Sequence, residues 1–118
     1  MLRVANLKTL HLDPGETAIY VGRGRAPAGM EHAQLGNPFR VGAAYAPGEA
    51  AAAYLHWLRE RCRRDTPQRR MILHLARRLN AGERLVVCCW CSPRPCHAHH
   101  IAAAIQGYAT KLREKQCP

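Results

Sequence analysis

The residues best suited to chemistry lie in one run, Cys89-Trp90-Cys91-Ser92-Pro93-Arg94-Pro95-Cys96-His97, with His99 and His100 about a turn further on. The apolar stretch leading into it, residues 85–90, reads as a strand buried on both faces. Alternate strand residues share a face, so Cys89 and Cys91 point together while Cys88 and Trp90 point away. Two prolines restrain the loop that follows. It returns Cys96 and His97 to the start of a helix beside the strand's carboxyl end, where open α/β sheets bind ligands. Free amide groups and the helix dipole favour an anion there, which predicts a lowered thiol pKa and a better nucleophile or metal ligand at Cys96.

Three chemistries fit this set. Cys89, Cys91, Cys96 and His97 could hold zinc through thiolate and imidazole ligands. The same three thiols could hold an iron–sulfur cluster with one iron open to substrate, although the spacing matches no familiar ferredoxin run. Without metal, Cys96 would be the nucleophile and His97 or His100 its base. The reading without chemistry makes the cysteines small buried hydrophobes beside solvated histidines. Cys-x-Cys-x₄-Cys-His is a less specific pattern than two Cys-x₂-Cys pairs, so spacing alone leaves all four open. Cys62 and Cys117 read as packing or incidental residues, and His11, His32, His56 and His74 have no ligand-like spacing.

A second candidate is Tyr20-Val21-Gly22-Arg23-Gly24-Arg25, a strand running into a Gly-x-Gly turn. Gly22 and Gly24 would let backbone amides approach a phosphate, and Arg23 could pair with it bidentately. The third glycine and the following helix of a dinucleotide fingerprint are missing, so a plain tight turn competes with this reading. Asn37, in Leu35-Gly36-Asn37-Pro38-Phe39, could read a base edge or a sugar, or simply form the turn before proline. Walker A, Gly-x-Ser-x-Gly and His-x-Glu deaminase signatures are absent.

The elements that must position these groups follow from periodicity. Residues 2–7 and 17–21 read as short strands with a turn at Asp13-Pro14-Gly15 between them. Residues 26–48 are too rich in Gly and Pro for a long helix and predict a loop wrapped on the surface. A helix is expected over 49–64, burying Ala50, Tyr54 and Leu58 with Leu55 and Trp57 partly apolar beside them. Thr66-Pro67 supplies a cap and a first-turn proline for a second helix whose apolar face is Ile72, Leu75, Ala76 and Leu79. After the central strand a last helix runs from 96 to about 107, and 110–118 reads as a charged, frayed tail.

At 118 residues the chain is a single domain with one modest core, without room for a separate cofactor domain. No segment has the run of roughly 20 apolar residues that spans a bilayer. The start lacks a signal-peptide h-region, which points to the cytoplasm, where thiols stay reduced and clustered Cys and His serve metal or thiol chemistry rather than disulfides. A net charge of +10 favours phosphate polyanions, although fifteen Arg against three Lys beside nineteen Ala is also the bias of a GC-rich genome. The eight acids form no close pair, which disfavours two-carboxylate glycosidase chemistry.

Tyr20-Val21-Gly22-Arg23, Leu35-Gly36-Asn37-Pro38-Phe39, Tyr54 to Leu58 with its Trp57-Leu58, and Cys89-Trp90-Cys91 with Pro93, Pro95, Cys96 and His97 occur in this order. The set resembles the domain-of-unknown-function 4326 family, small bacterial, archaeal and phage proteins, over about residues 3–106. The resemblance implies a site built from Gly22, Arg23, Asn37, Cys89, Cys91, Cys96 and His97, and no settled activity. Family members often continue the Cys-His pair with Gly-Asp. Here Ala98-His99 follows, so that if the family's acid binds a ligand or a metal, His99 or His100 could take its place. Recurrence in phage implies, by analogy only, nucleotide metabolism, DNA modification or host conflict.

Together these observations predict a Rossmann-like α/β domain of two or three layers over residues 1–109, with a short, mostly parallel sheet and about three helices. The leading functional expectation is a metal- or cysteine-dependent enzyme acting on a nucleotide or nucleobase-bearing substrate, with Cys96 and His97 catalytic and Gly22, Arg23, Gly24 and Asn37 binding the anion. A zinc-stabilised nucleic-acid-binding module, using the Arg-rich helices from Arg59 to Arg70 and at Arg77-Arg78, is the alternative. A metal-free, partner-binding accessory protein is the third.

Overall fold

A computed structural model describes residues 1–39, 42, 44–90 and 96–116. Its elements are β1 (Leu2–Asn6), β2 (Glu16–Tyr20), β3 (Glu31–His32), α1 (Pro47–Arg61), α2 (Pro67–Asn80), β4 (Arg84–Cys89) and α3 (His97–Gln116). The sheet order is β1-β4-β2-β3 and each pairing is parallel. β4, the continuous apolar run, lies inside the sheet between the two strands joined by the Asp13-Pro14-Gly15 turn. Its register sets Cys88 beside Ala5 and Tyr20, and Cys89 beside Asn6.

All three helices pack on one face. Ile19, Val21, Leu85, Val87 and Cys89 of the sheet meet Tyr54 and Leu58 of α1, the predicted stripe Ile72, Leu75, Ala76 and Leu79 of α2, and Ile101, Ile105 and Ala109 of α3. The opposite face carries a small cluster, Ala18, Val86 and Cys88, covered by Leu7, Leu10 and Met30 from loops and by Ala5. The architecture is therefore the two-layer form of the expected α/β domain, with small residues where a second helical layer would otherwise pack.

Local chemistry explains the element ends. Thr66 accepts from the Arg69 amide at 3.2 Å and donates to the Arg61 carbonyl at 2.9 Å, so one hydroxyl caps α2 and holds it to the end of α1. The Glu49 carboxylate accepts from the Ala46 amide at 3.2 Å at the start of α1. Two differences from the sequence reading stand out. β3, two residues inside the Gly/Pro segment, is too short to show a period, and it forms because β2 offers it a free edge. α3 does not stop near Gly107: it continues through Gln116, held by buried Ala109 and half-buried Tyr108 and Leu112. The segment read as a frayed tail is helical as far as Gln116, and residues 117 and 118 lie outside the described residues.

Candidate functional site

Strand alternation places Cys88 and Cys89 on opposite faces of the sheet, as expected. Cys88 enters the small cluster on the helix-free face, and burial pushes its thiol up to about 11. Cys89, 1% exposed, faces the helices. The chain returns at Cys96, 4% exposed, immediately before α3. There the Cys96 sulfur accepts from the Ala98 amide at 3.5 Å and lies 3.1 Å from Cys89 Sγ, beyond the roughly 2.05 Å of a disulfide bond. Cys91, the third expected thiol, lies outside the described residues, as do Ser92, Pro93, Arg94 and Pro95.

His97 joins the first turn of α3 to the end of β2. Its Nε2 lies 2.6 Å from the Val21 carbonyl oxygen. A carbonyl only accepts, so Nε2 carries the proton and Nδ1 is left as an acceptor in the neutral ring. That nitrogen is 3.7 Å from Cys96 Sγ. Burial, countered in part by the Val21 bond and reinforced by the charges of Arg23 and His100, holds the imidazole pKa below its ordinary value. The result is a buried thiol beside the unprotonated nitrogen of an imidazole whose other nitrogen is held by backbone.

Aromatic residues fix this ring. Tyr54 lies edge-on to His97 with centroids 4.9 Å apart, and its hydroxyl donates to the Leu35 carbonyl at 2.8 Å. Trp57 and Phe39 extend the contacts outward at 5.5 and 6.5 Å, linking the Leu-Gly-Asn-Pro-Phe segment to the histidine. Tyr54 and Trp57 belong to the motif blocks, but helical periodicity gave them only a packing role. The Val21 carbonyl, a backbone atom, left no mark in the sequence beyond its strand.

The Gly-Arg-Gly turn is built by close approach within the protein. A Cβ on Gly22 would lie 2.5 Å from the Tyr20 hydroxyl, which donates to the Arg23 carbonyl at 2.6 Å. A Cβ on Gly36 would meet Arg23 Cγ at 2.9 Å and the Gly22 carbonyl at 3.2 Å. The two motif segments are thus pressed together into one rim. Gly24 takes the left-handed φ of +74°, and its carbonyl accepts from His32 Nε2 at 2.7 Å. The Arg23 side chain points to solvent, yet its charge reaches His97. Asn37 turns its amide inward: Oδ1 accepts from the Phe39 amide at 2.8 Å and Nδ2 donates to the Ala50 carbonyl at 3.2 Å, which fastens the rim to α1.

The structure brings Cys89, Cys96, His97, Gly22 and Arg23 to the carboxyl edge of β2 and β4. Among the described residues no three His, Cys, Asp or Glu side chains are grouped to hold a metal ion. His100 sits one turn along α3, half-buried, and His99 is exposed. Trp90, 52% exposed, is held by its carbonyl, which accepts from Asn6 Nδ2 at 3.2 Å. No helix among the described residues is long and apolar enough to cross a membrane.

Fold and edge define a class: a small parallel α/β domain, helices on one face, with a cysteine–histidine cluster where its central strand ends. Residues 5–107 match the family model described as a domain of unknown function (DUF4326), and the chain belongs to that family. No curated protein and no solved structure matches it.

Proposed function

We propose that the chain is a cysteine-dependent enzyme acting on an anionic, nucleotide-class substrate at the carboxyl edge of the sheet. The observation that carries this reading is the Cys96–His97–Val21 alignment: a thiol, an acceptor nitrogen 3.7 Å away, and a carbonyl 2.6 Å from the opposite nitrogen that fixes the tautomer. This is the order of nucleophile, base and orienting group that covalent catalysis needs. As Cys96 Sγ adds to an unsaturated electrophilic carbon, its proton passes to His97 Nδ1 and the carbon's π electrons move onto its heteroatom. Collapse of the adduct expels the leaving group, which takes the proton back from Nδ1, and water then frees the product from the sulfur. The Ala98 amide with the α3 dipole stabilises charge on the thiolate. Arg23, exposed on the adjoining rim, supplies the fixed cation for a phosphate.

The test is mass-spectrometric mapping of iodoacetamide labelling on folded, reduced, chelator-washed protein, with and without a panel of nucleotides. Cys96 should label, Cys88 should not, a binding nucleotide should protect Cys96, and Arg23→Ala should abolish protection. Labelling of Cys96 only at the rate of global unfolding would sink the reading. The paired sulfurs favour a second one, in which Cys89, Cys91, Cys96 and His97 hold zinc. Elemental analysis of protein purified without a metal-affinity tag separates the two: about one zinc per chain, lost in Cys89→Ser, supports the metal centre.

A further inference from the structure

α1 and α3 do not close against each other along their exposed sides. Between them lies a recess of about 460 Å³ whose walls include Leu58 and Cys62 on one side and Ala104 and Tyr108 on the other. A second recess of about 500 Å³, between α2 and α3, adjoins it and shares Tyr108 and Lys111. Five cations line the two: Arg59, Arg63, Lys111, Arg69 and Lys115. A single carboxylate, Glu114, joins them. Arg63 pairs with Glu60 at 3.1 Å across an exposed helix turn, whereas Arg59, Arg69, Lys111 and Lys115 form no salt bridge to a carboxylate among the described residues. At Gly107 an added Cβ would meet nothing within 4 Å, so the floor is open there.

We propose that this double groove binds single-stranded nucleic acid. Charge sets the chemistry: cations strung along a helix attract a chain of phosphates through counterion release. From His100 to Lys115 α3 rises about 22 Å, the span of roughly six stacked nucleotides at about 3.4 Å each and far more than one mononucleotide covers. The apolar walls select the form. A duplex presents phosphates outward and would leave the recesses unfilled, whereas a single strand can place base faces against the aliphatic walls and, as Lys111 turns from the Tyr108 ring that it covers at 5.7 Å to a phosphate, against that ring. His100, at the upper end of the groove, is one turn from His97, so a strand seated here leads toward the carboxyl edge. The groove binds whether or not Cys96 is a nucleophile.

Fluorescence anisotropy with labelled twelve-residue oligo-dT and oligo-rU, from 50 to 200 mM salt, tests the proposal. Binding should weaken steeply with salt. Arg59→Gln combined with Lys111→Gln should lower affinity at least tenfold and reduce the log–log salt slope by about 1.4, at about 0.7 per phosphate contact. Lys8→Gln with Arg84→Gln, which removes equal charge elsewhere, should change affinity less than twofold, as should Cys96→Ala. Ultraviolet crosslinking should map to the Tyr108 peptide. The proposal is overturned if the oligonucleotides do not bind, if both double variants weaken binding equally, if a duplex of the same length binds as tightly, or if phosphatidylserine vesicles compete better than the oligonucleotides.

Discussion

His97 must be neutral at rest to accept the Cys96 proton, and its position between Tyr54 and the core, at 7% exposure, favours that form. Its folded pKa is lowered below the ordinary 6.5, first by burial. Above 6.5 both folded and unfolded chains carry neutral imidazole and the stabilisation is fully present. As pH falls below 6.5 the unfolded chain takes a proton that folded His97 refuses, so stability is lost through that window. Urea midpoints should therefore drop between pH 7 and pH 5, and the drop should shrink in His97→Gln. His100, lowered by burial and by His99 and Arg59, keeps the remainder. The lowered carboxyls of Glu16, held at about 2 by Arg3, and Glu31, held down by Arg78, act only below about 4.5 and do not blur the result. Gly36→Ala should cost about 1–3 kcal/mol in a urea titration, because the Gly22 carbonyl and Arg23 Cα, backbone atoms at 3.2 and 3.3 Å, must both give way. The opposite faces of Cys88 and Cys89 were legible, since a period of two fixes them without tertiary information. The orientation of His97 was not, because its partner at Val21 is 76 residues away and is a backbone oxygen that any residue would supply.

Elements with a strong local code were legible and those that depend on neighbours were not. α2 declares itself through Thr66, Pro67 and a buried stripe at spacings of three and four, all present in the fold. β4 declares itself by its unbroken apolar run. β3 exists only because β2 offers an edge. The end of α3 misleads because Gly107 and the charged residues after it look like a helix stop, while the residues that hold it in place, Ala109, Tyr108 and Leu112, find their partners outside their own segment. Asn80 of α2 confirms the docking by donating to the Ala109 carbonyl at 2.9 Å, while its other amide atom accepts from Arg113 at 2.7 Å. A chain ending at Gly107 should accordingly lose several kcal/mol, since it removes buried Ala109 with half-buried Tyr108 and Leu112 and both Asn80 contacts. Chemical denaturation of the two lengths decides the matter: equal midpoints would mean that the last turns are frayed.

The whole molecule carries +10 on 118 residues, and the four ion-pair clusters among the described residues offset little of the resulting self-repulsion. Salt then has two opposing consequences. It screens repulsion between cations distributed over the surface, which favours the compact state, and it competes with any polyanion gathered by the groove, which weakens binding. Melting temperature without ligand should rise by a few degrees between 20 and 300 mM sodium chloride, since 1 kcal/mol moves a domain of this size by about 4–8 °C. Adding oligo-dT at the lower salt should raise it further by linkage, and that increment should vanish at the higher salt. Were the fold held mainly by its ion pairs, the first trend would reverse. Running the Arg59→Gln, Lys111→Gln chain beside the native one separates bulk charge from local capture. Its ligand-free melting temperature should be higher than native at low salt, because two repelling cations are gone, while its oligonucleotide increment should be smaller. A rise in one measurement with a fall in the other cannot come from unfolding of the variant, and it places the cost of the positive surface and its use on the same side chains.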